Sequence, residues 1–277
     1  MKQGQIITLQ KNQYIVKSDD LKVSCVIRGK IRQQQLLPRV GDFVLFDENK
    51  KVIEKILPRK NSFLRPLVSN IDQAIIVTSV KEPDFSLSLL DRLLTLMELA
   101  KVEGIICLTK LDLISDIEKK DILEKMNYYQ ELGYKVVVNT DLDSIKELLK
   151  DKTSVFIGQT GAGKSTLLNK LSPNWNLKTG EISKALGRGK HTTRTVELFE
   201  FLDGQVLDTP GFSALNFEGY KREDIKEAFR EFKLYTCPFK DCSHTKEGEC
   251  EIKRQVEIGN IMNSRYQAYL QYLKEVK

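Results

Sequence analysis

A chain of 277 residues with 41% hydrophobic composition is long enough to bury a sizeable core and to divide into more than one domain. No apolar run approaches membrane-spanning length and the opening MKQGQIITLQ lacks the apolar core of an export signal, so a cytoplasmic protein with no membrane partner is expected. The net charge of +6 is unevenly placed: residues 1–62 hold 13 Lys/Arg against 6 Asp/Glu, a local balance of +7, and a polyanion would meet this end first unless it is simply a solvated basic face.

The basic end reads as short strands: QIITL (5–9), YIVK (14–17), KVSCVI (22–27), DFVLF (42–46) and VIEKI (52–56). Charged or turn-prone pieces separate them, which predicts a small barrel or sandwich. A five-stranded OB-like barrel is the economical solution because closure removes exposed edges; an SH3-like barrel fits the pattern too. Arg28, Lys30 and Arg32, in and beside the Arg28-Gly29-Lys30 loop, are the candidate RNA contacts.

The proline-bounded basic linker PRKNSFLRP (58–66) marks the first boundary, and beyond it the period changes. A buried strand (70–80), an apolar-striped helix (87–103), a second strand (104–112), a helix (115–132) stopped by Gly133, a third strand (135–140) and another helix (142–150) alternate. Alternation of this kind predicts an α/β domain, a parallel sheet with helices on both faces and its ligand outside the carboxyl ends of the strands. The second strand runs into Thr109, Lys110, Leu111 and Asp112. A carboxylate there can accept from the N1–H and exocyclic amine of guanine, a donor pair adenine lacks. Taken alone, the tetrapeptide reads better as a surface ion-pair loop; a phosphate loop on the same sheet reverses that preference.

The next strand, VFI, leads into GQTGAGKS (158–165) and a helical run, the context that a phosphate-binding G-x-x-x-x-G-K-[ST] loop requires. Its glycines let backbone N–H groups turn around a phosphate at a helix N-terminus. Gly158, Gln159, Thr160, Gly161, Ala162, Gly163, Lys164, Ser165 and Thr166 are the candidate nucleotide residues, with Lys164 on the β/γ-phosphates and Ser165 on Mg²⁺. A long polar stretch (172–195) follows, of the kind a loop ordered by γ-phosphate and Mg²⁺ would have. Thr193, or the adjacent Thr192, is a candidate second Mg²⁺ ligand. The strands VELFEF and QVLDT, joined at Asp203-Gly204, end in Asp208-Thr209-Pro210-Gly211. Asp208 suits a water-mediated Mg²⁺ contact, and Gly211 suits close backbone approach to the γ-phosphate.

An amphipathic helix over 221–233 opens the last region, which then carries Cys237, Cys242, His244 and Cys250. Three thiols and one imidazole complete a tetrahedral Zn²⁺ shell with no position left open, so one structural ion is expected; free thiols are the alternative. A helical tail to Lys277 is expected to pack on this small lobe. Cys25 and Cys107, isolated in apolar strands, read as core.

The guanine-reading tetrapeptide precedes the phosphate loop, the reverse of the Ras-like order, so the domain is circularly permuted. Basic barrel, TKLD, GQTGAGKS, GRGKHTT, DTPG and C-x4-C-x-H-x5-C together, over essentially the whole chain, resemble the RsgA (YjeQ/YloQ) family of small-ribosomal-subunit biogenesis GTPases. The resemblance implies slow hydrolysis of GTP to GDP and phosphate, stimulated by the small subunit, with contact to its rRNA and a checkpoint role in late maturation. A monomer when free is expected, with other assembly factors as candidate further partners. The domains expected are a barrel over 1–62, the permuted GTPase over 63–217 and a zinc-binding helical lobe over 218–277.

Some positions depart from the wider GTPase pattern. Thr109 stands where Asn is usual, Asn139-Thr140 where Ser-Ala contacts guanine, and Gly161 where potassium-activated enzymes carry Asn. Beyond Gly211 come Phe212, Ser213 and Ala214, none of which can orient a water as the Ras-like Gln does. His191, just before the Thr pair, is the nearby group with suitable chemistry, and the resemblance points to it as well; its plain alternative is a solvated loop residue. An ATPase or small-molecule kinase, and a GTP-stabilised RNA or protein adaptor with negligible hydrolysis, are the competing functions.

Overall fold

The computed structural model describes residues 1–10, 13–29, 37–63, 67–173, 196–208 and 216–276. Strands β1 (Lys2–Gln10), β2 (Gln13–Ser18), β3 (Leu21–Ile27), β4 (Phe43–Asp47) and β5 (Val52–Ile56) close into the OB-like barrel. β1–β2, β2–β3 and β4–β5 pair antiparallel, β3 lies parallel to β5, and β4 returns antiparallel to β1. That parallel crossing and the closure on β1 leave no open edge. Alternation sends Val23, Cys25 and Ile27 of β3 inward with Ile6, Val16, Val44, Phe46 and Ile53.

A short hairpin, β6 (Ser62–Phe63) and β7 (Val68–Ser69), leads into the α/β domain. Its strands β8 (Gln73–Ser79), β9 (Glu103–Thr109), β10 (Lys135–Val138), β11 (Thr153–Ile157) and β13 (Gly204–Asp208) are parallel in the order β10-β9-β8-β11-β13. The sheet is not wholly parallel, because β12 (Glu197–Phe201) runs antiparallel to β13 through a two-residue turn. Leu202 and Asp203 both take positive φ there (49° and 59°), the backbone a tight twisted hairpin needs. β12 also meets β1 at Thr8↔Glu197, so the sheet runs on into the barrel.

Helices cover both faces. Ile76, Ile106, Leu108, Val155 and Leu207 pack against α1 (Leu87–Leu99) and α2 (Asp116–Glu131). Ile75, Val77, Ile105, Cys107 and Phe156 pack against α3 (Leu142–Leu149) and α4 (Lys164–Leu171). Burial pushes the Cys107 thiol up to about 12, consistent with an inert core residue. Ser115 and Glu118 form a capping box on α2, and Ser86 caps α1. The first helix stops at Leu99, short of 103, and β9 stops at Thr109, short of 112, because Lys110 turns left-handed (φ 62°).

The single helix expected over 221–233 is broken. α5 (Arg222–Glu227) ends at Ala228, Phe229 is extended (φ −96°, ψ 103°), and a 3-10 turn covers Arg230–Leu234. At about 100° per residue an unbroken helix would turn Glu231 away from the face shared by Phe229 and Phe232. Both rings pack on Tyr269 (centroids 5.4 and 4.9 Å), while Glu231 is needed on the same core. There it meets Arg265, whose guanidinium donates from Nε to Glu231 Oε1 (2.6 Å) and from Nη2 to Oε2 (3.1 Å).

Arg265 lies on α7 (Asn263–Glu275), which follows α6 (Glu251–Glu257). The tail does not pack on the small lobe alone but along α1. Arg265 Nη1 reaches Asp91 Oδ1 (3.2 Å), Arg92 forms a fork with Glu275 (2.8 Å each), and Tyr272 donates to the Ser88 carbonyl (3.3 Å). Arg265 and Asp91 are wholly buried, and Tyr129 also donates to Asp91 Oδ1 (2.5 Å). Burial pushes the Asp91 carboxyl up, against the opposing pull of Arg265. Removing the cation leaves two buried carboxylates facing each other, so Arg265→Ala should cost about 3–5 kcal/mol. Urea unfolding followed by circular dichroism should show the lower midpoint.

Candidate nucleotide site and metal centre

Parallel pairing sets several strand ends side by side. Ser79 pairs with Thr109, Leu108 with Val138, Ile76 with Ile157 and Val155 with Leu207, so the carboxyl ends of β8, β9, β10, β11 and β13 lie along one edge of the sheet. The phosphate loop leaves β11 at Gly158, where a Cβ would stand 2.1 Å from the Val77 carbonyl oxygen and φ is +140°. Only glycine can pass there. Gly163, at φ +94°, caps α4, and the first N–H groups of that helix have no intrahelical acceptor and suit an anion. Lys164 folds over the loop, its Nζ donating to the carbonyls of Gly158 (2.7 Å) and Gln159 (2.6 Å). Ser165 is half-buried beside it, and Thr160 and Thr166 are exposed.

The Thr109-Asp112 segment lies against this loop. Thr109 is buried, and its hydroxyl donates to the Ala162 carbonyl (2.7 Å), which ties the end of β9 to the phosphate loop. Lys110 Nζ donates to the Glu82 carbonyl, and Leu111–Leu113 form a 3-10 turn that leaves Asp112 exposed. Asn139 follows β10 with its N–H on the Leu108 carbonyl (2.9 Å); Thr140 is exposed.

Two contributions escaped the sequence. The Thr109 hydroxyl bonds the loop, and the segment after β8 forms a wall, with Pro83 Cδ 3.6 Å from a Cβ built on Gly161. The turn-prone KEPDFS (81–86) after an apolar strand is the signal that could have marked that wall. Asp208 ends β13, whereas His191, Thr192, Thr193, Gly211, Phe212, Ser213, Ala214, Lys30 and Arg32 lie outside the described residues. Arg28 is exposed on the barrel and paired with Glu54.

In the C-terminal lobe Cys237, Cys242, His244 and Cys250 converge, their ligand atoms all within 4.8 Å of one another. His244 Nδ1 is 3.5 Å from Cys237 Sγ and 3.4 Å from Cys250 Sγ, and the two sulfurs are 3.9 Å apart. A tetrahedron with Zn–N and Zn–S bonds of about 2.0–2.3 Å has edges of about 3.3–3.8 Å, so the donors already stand at metal-binding separations. Burial, then Lys226, lowers the His244 pKa, the direction that favours the neutral imidazole a metal needs. The loop is held from behind: Tyr266 donates to the His244 carbonyl (2.8 Å) and Tyr269 to that of Ser243 (2.7 Å).

Fold and site define a class: a circularly permuted phosphate-loop GTPase between a small barrel and a lobe whose Cys/His cluster could hold a metal ion. The RsgA GTPase family model matches residues 56–218, and the RsgA N-terminal domain model matches residues 3–52. The chain belongs to the RsgA GTPase family, whose members hydrolyse GTP and use Mg²⁺. Two of its most similar relatives are each named small ribosomal subunit biogenesis GTPase RsgA. The Enterococcus faecalis protein is 44% identical over 99% of this chain and 95% of its own length. The Streptococcus pneumoniae protein is 45% identical over 99% and 94%. Among solved structures, that of YloQ, a circularly permuted GTPase, superposes with TM-score 0.82 at 35% identity, covering 100% of this chain and 95% of its own. YjeQ from Thermotoga maritima gives TM-score 0.83 at 34%, covering 99% and 98%. Among the described residues no helix is long and apolar enough to cross a membrane.

The four-donor cluster should hold one metal ion per chain. Cys250→Ser should lower metal content by elemental analysis of the purified protein and lower the thermal midpoint of the lobe, since metal binding and local folding are linked.

Proposed function

We propose that this protein turns GTP over to GDP and phosphate when it docks on the small ribosomal subunit, late in that subunit's assembly, and contacts its rRNA through the barrel. The observation that carries it is the hydrogen bond from Thr109 to Ala162, which holds the base-reading and phosphate-binding segments as one site. The relatives' names supply the subunit, and the +7 balance over residues 1–62 supplies the RNA-facing charge. The working divisions are 1–62, 63–217 and 218–277.

Asp112 accepts from guanine, the stem of Lys110 lies along the base, and Asn139 with Thr140 borders its far edge. The Gly158–Thr166 loop cradles the phosphates, and Lys164 exchanges its two carbonyl partners for β/γ oxygens. Ser165, Asp208 and Thr193, or the adjacent Thr192, would hold Mg²⁺, which would supply charge neutralisation on the phosphates. Gly211 lets the backbone approach the γ-phosphate. His191 orients the attacking water once its loop is ordered on the subunit, which makes basal turnover slow. The C-terminal cluster holds Zn²⁺ as a structural staple, because four protein ligands leave no position for a substrate.

Phosphate release measured with and without purified small subunits should show strong stimulation. His191→Ala should keep GTP and subunit binding and lose most of the stimulated rate. Equal stimulation of the variant would remove His191 from the chemistry, and absence of stimulation in the parent would favour an adaptor. Separately, Asp112→Asn should move nucleotide preference from guanine toward xanthine in calorimetric titrations, since the acceptor for the N1–H and amine is lost. ATP binding as tight as GTP by the parent would end the guanine assignment.

A further inference from the structure

Between β3 and β4 the barrel is strapped to the α/β domain by residues 37–42. Val40 bonds with Leu67 and Ser69, and at Gly41 a Cβ would stand 2.2 Å from the Ser69 carbonyl oxygen, so backbone meets backbone. Asp42, fully buried, is the hub of this seam. Its Oδ1 accepts from Ser69 Oγ (2.6 Å) and Arg59 Nε (2.7 Å). Its Oδ2 accepts from Arg59 Nη2 (2.7 Å) and the Arg39 N–H (2.8 Å). A carboxylate has about four acceptor sites, and all are taken.

Arg39 therefore has no carboxylate of its own. The residue is 9% exposed, its Nε is buried without a hydrogen-bond partner, and among the described residues its guanidinium has no ion pair. Burial, then the nearby Arg59 cation, lowers its pKa, with Asp42 opposing. The carboxylate is thus saturated by Arg59, Ser69 and the Arg39 backbone, and the Arg39 guanidinium stands beside it without an anion of its own, at the seam of a strongly basic unit. Such a cation is costly to hold unless something anionic completes it, and guanidinium forks match phosphate oxygens.

We infer that Arg39, backed by Arg59, is the seat for one backbone phosphate of RNA at the seam between the barrel and the α/β domain. This rests on the proposal that the barrel meets ribosomal RNA. It places one phosphate contact away from Arg28, beside the junction through which the barrel is held to the GTPase unit.

The test uses the full chain, labelled, titrated with purified small ribosomal subunits over a salt series, comparing the parent with Arg39→Met, which keeps the stem and removes the fork. The variant should lose roughly tenfold in affinity at low salt, and its log K against log salt slope should shrink by about one. Its melting temperature should be unchanged or higher, because an uncompensated buried charge has gone. A lower melting temperature with an unchanged slope would make Arg39 merely structural and overturn the inference. A weaker complex with the parent's slope would assign the contact to a protein group of the subunit, again overturning it. Stabilisation of the parent, but not the variant, by inorganic phosphate at constant ionic strength with equal slopes would assign a free-anion pocket instead. If the parent's own binding is independent of salt, the RNA reading of the barrel fails and this inference fails with it; a steep parent slope shared by the variant sinks the Arg39 assignment alone.

Discussion

The carbonyl of Val77 occupies the space a side chain on residue 158 would need, 2.1 Å from the built Cβ. This contact sets the phosphate loop's height above the sheet, because β8 and β11 are neighbours whose register is locked at Ile76↔Ile157. With the loop at that height, the Thr109 hydroxyl at the end of β9 meets the Ala162 carbonyl. A bulkier residue at 158 would disturb a sheet pairing, a loop and a base-reading segment together, since all three share one backbone approach.

The same strand connects the site to the rest of the molecule. β8 feeds α1 through residues 80–86, which lie beside the loop and accept Lys110 at the Glu82 carbonyl. On its other side α1 carries Asp91 and Arg92 to the C-terminal helix, where Arg265 and Glu275 wait. The loop that carries His244 is braced by Tyr266 and Tyr269 of that helix. Lobe and phosphate loop are therefore both in contact with one strand-helix unit, β8 with its following segment and α1. Circular permutation makes this possible: with the base-reading half placed first, the segment after β13 is free to run into a lobe that folds back on α1.

The seam with the barrel is built on the opposite logic. There the close approach is at Gly41, and the energetics turn on Asp42, a buried carboxylate satisfied by four donors from three residues. One carboxylate thereby fixes the strap, the linker arginine and the β7 serine. The barrel is joined to the α/β sheet a second time by the Thr8↔Glu197 pairing, so two independent contacts orient it.

The sequence by itself determined the five barrel strands, the βα alternation, the phosphate loop and the C-x4-C-x-H-x5-C ligand set, because each is written in local period or fixed spacing. The break at Phe229 was not legible there: 221–233 has helical periodicity throughout, and the need to bring Phe229, Phe232 and Glu231 onto one core exists only once α7 is in place. Nor was the partnership of Asp91 with Arg265, residues far apart in the chain, although an Asp inside an apolar helical stripe was its visible trace. Thr109 could be read from sequence as a base contact, yet its hydroxyl points to Ala162 because the glycine at 158 lets the loop descend onto the sheet. Local pattern fixes which elements form; which polar groups those elements bury against each other is decided by packing, where every buried donor and acceptor must find a partner that sequence distance does not reveal.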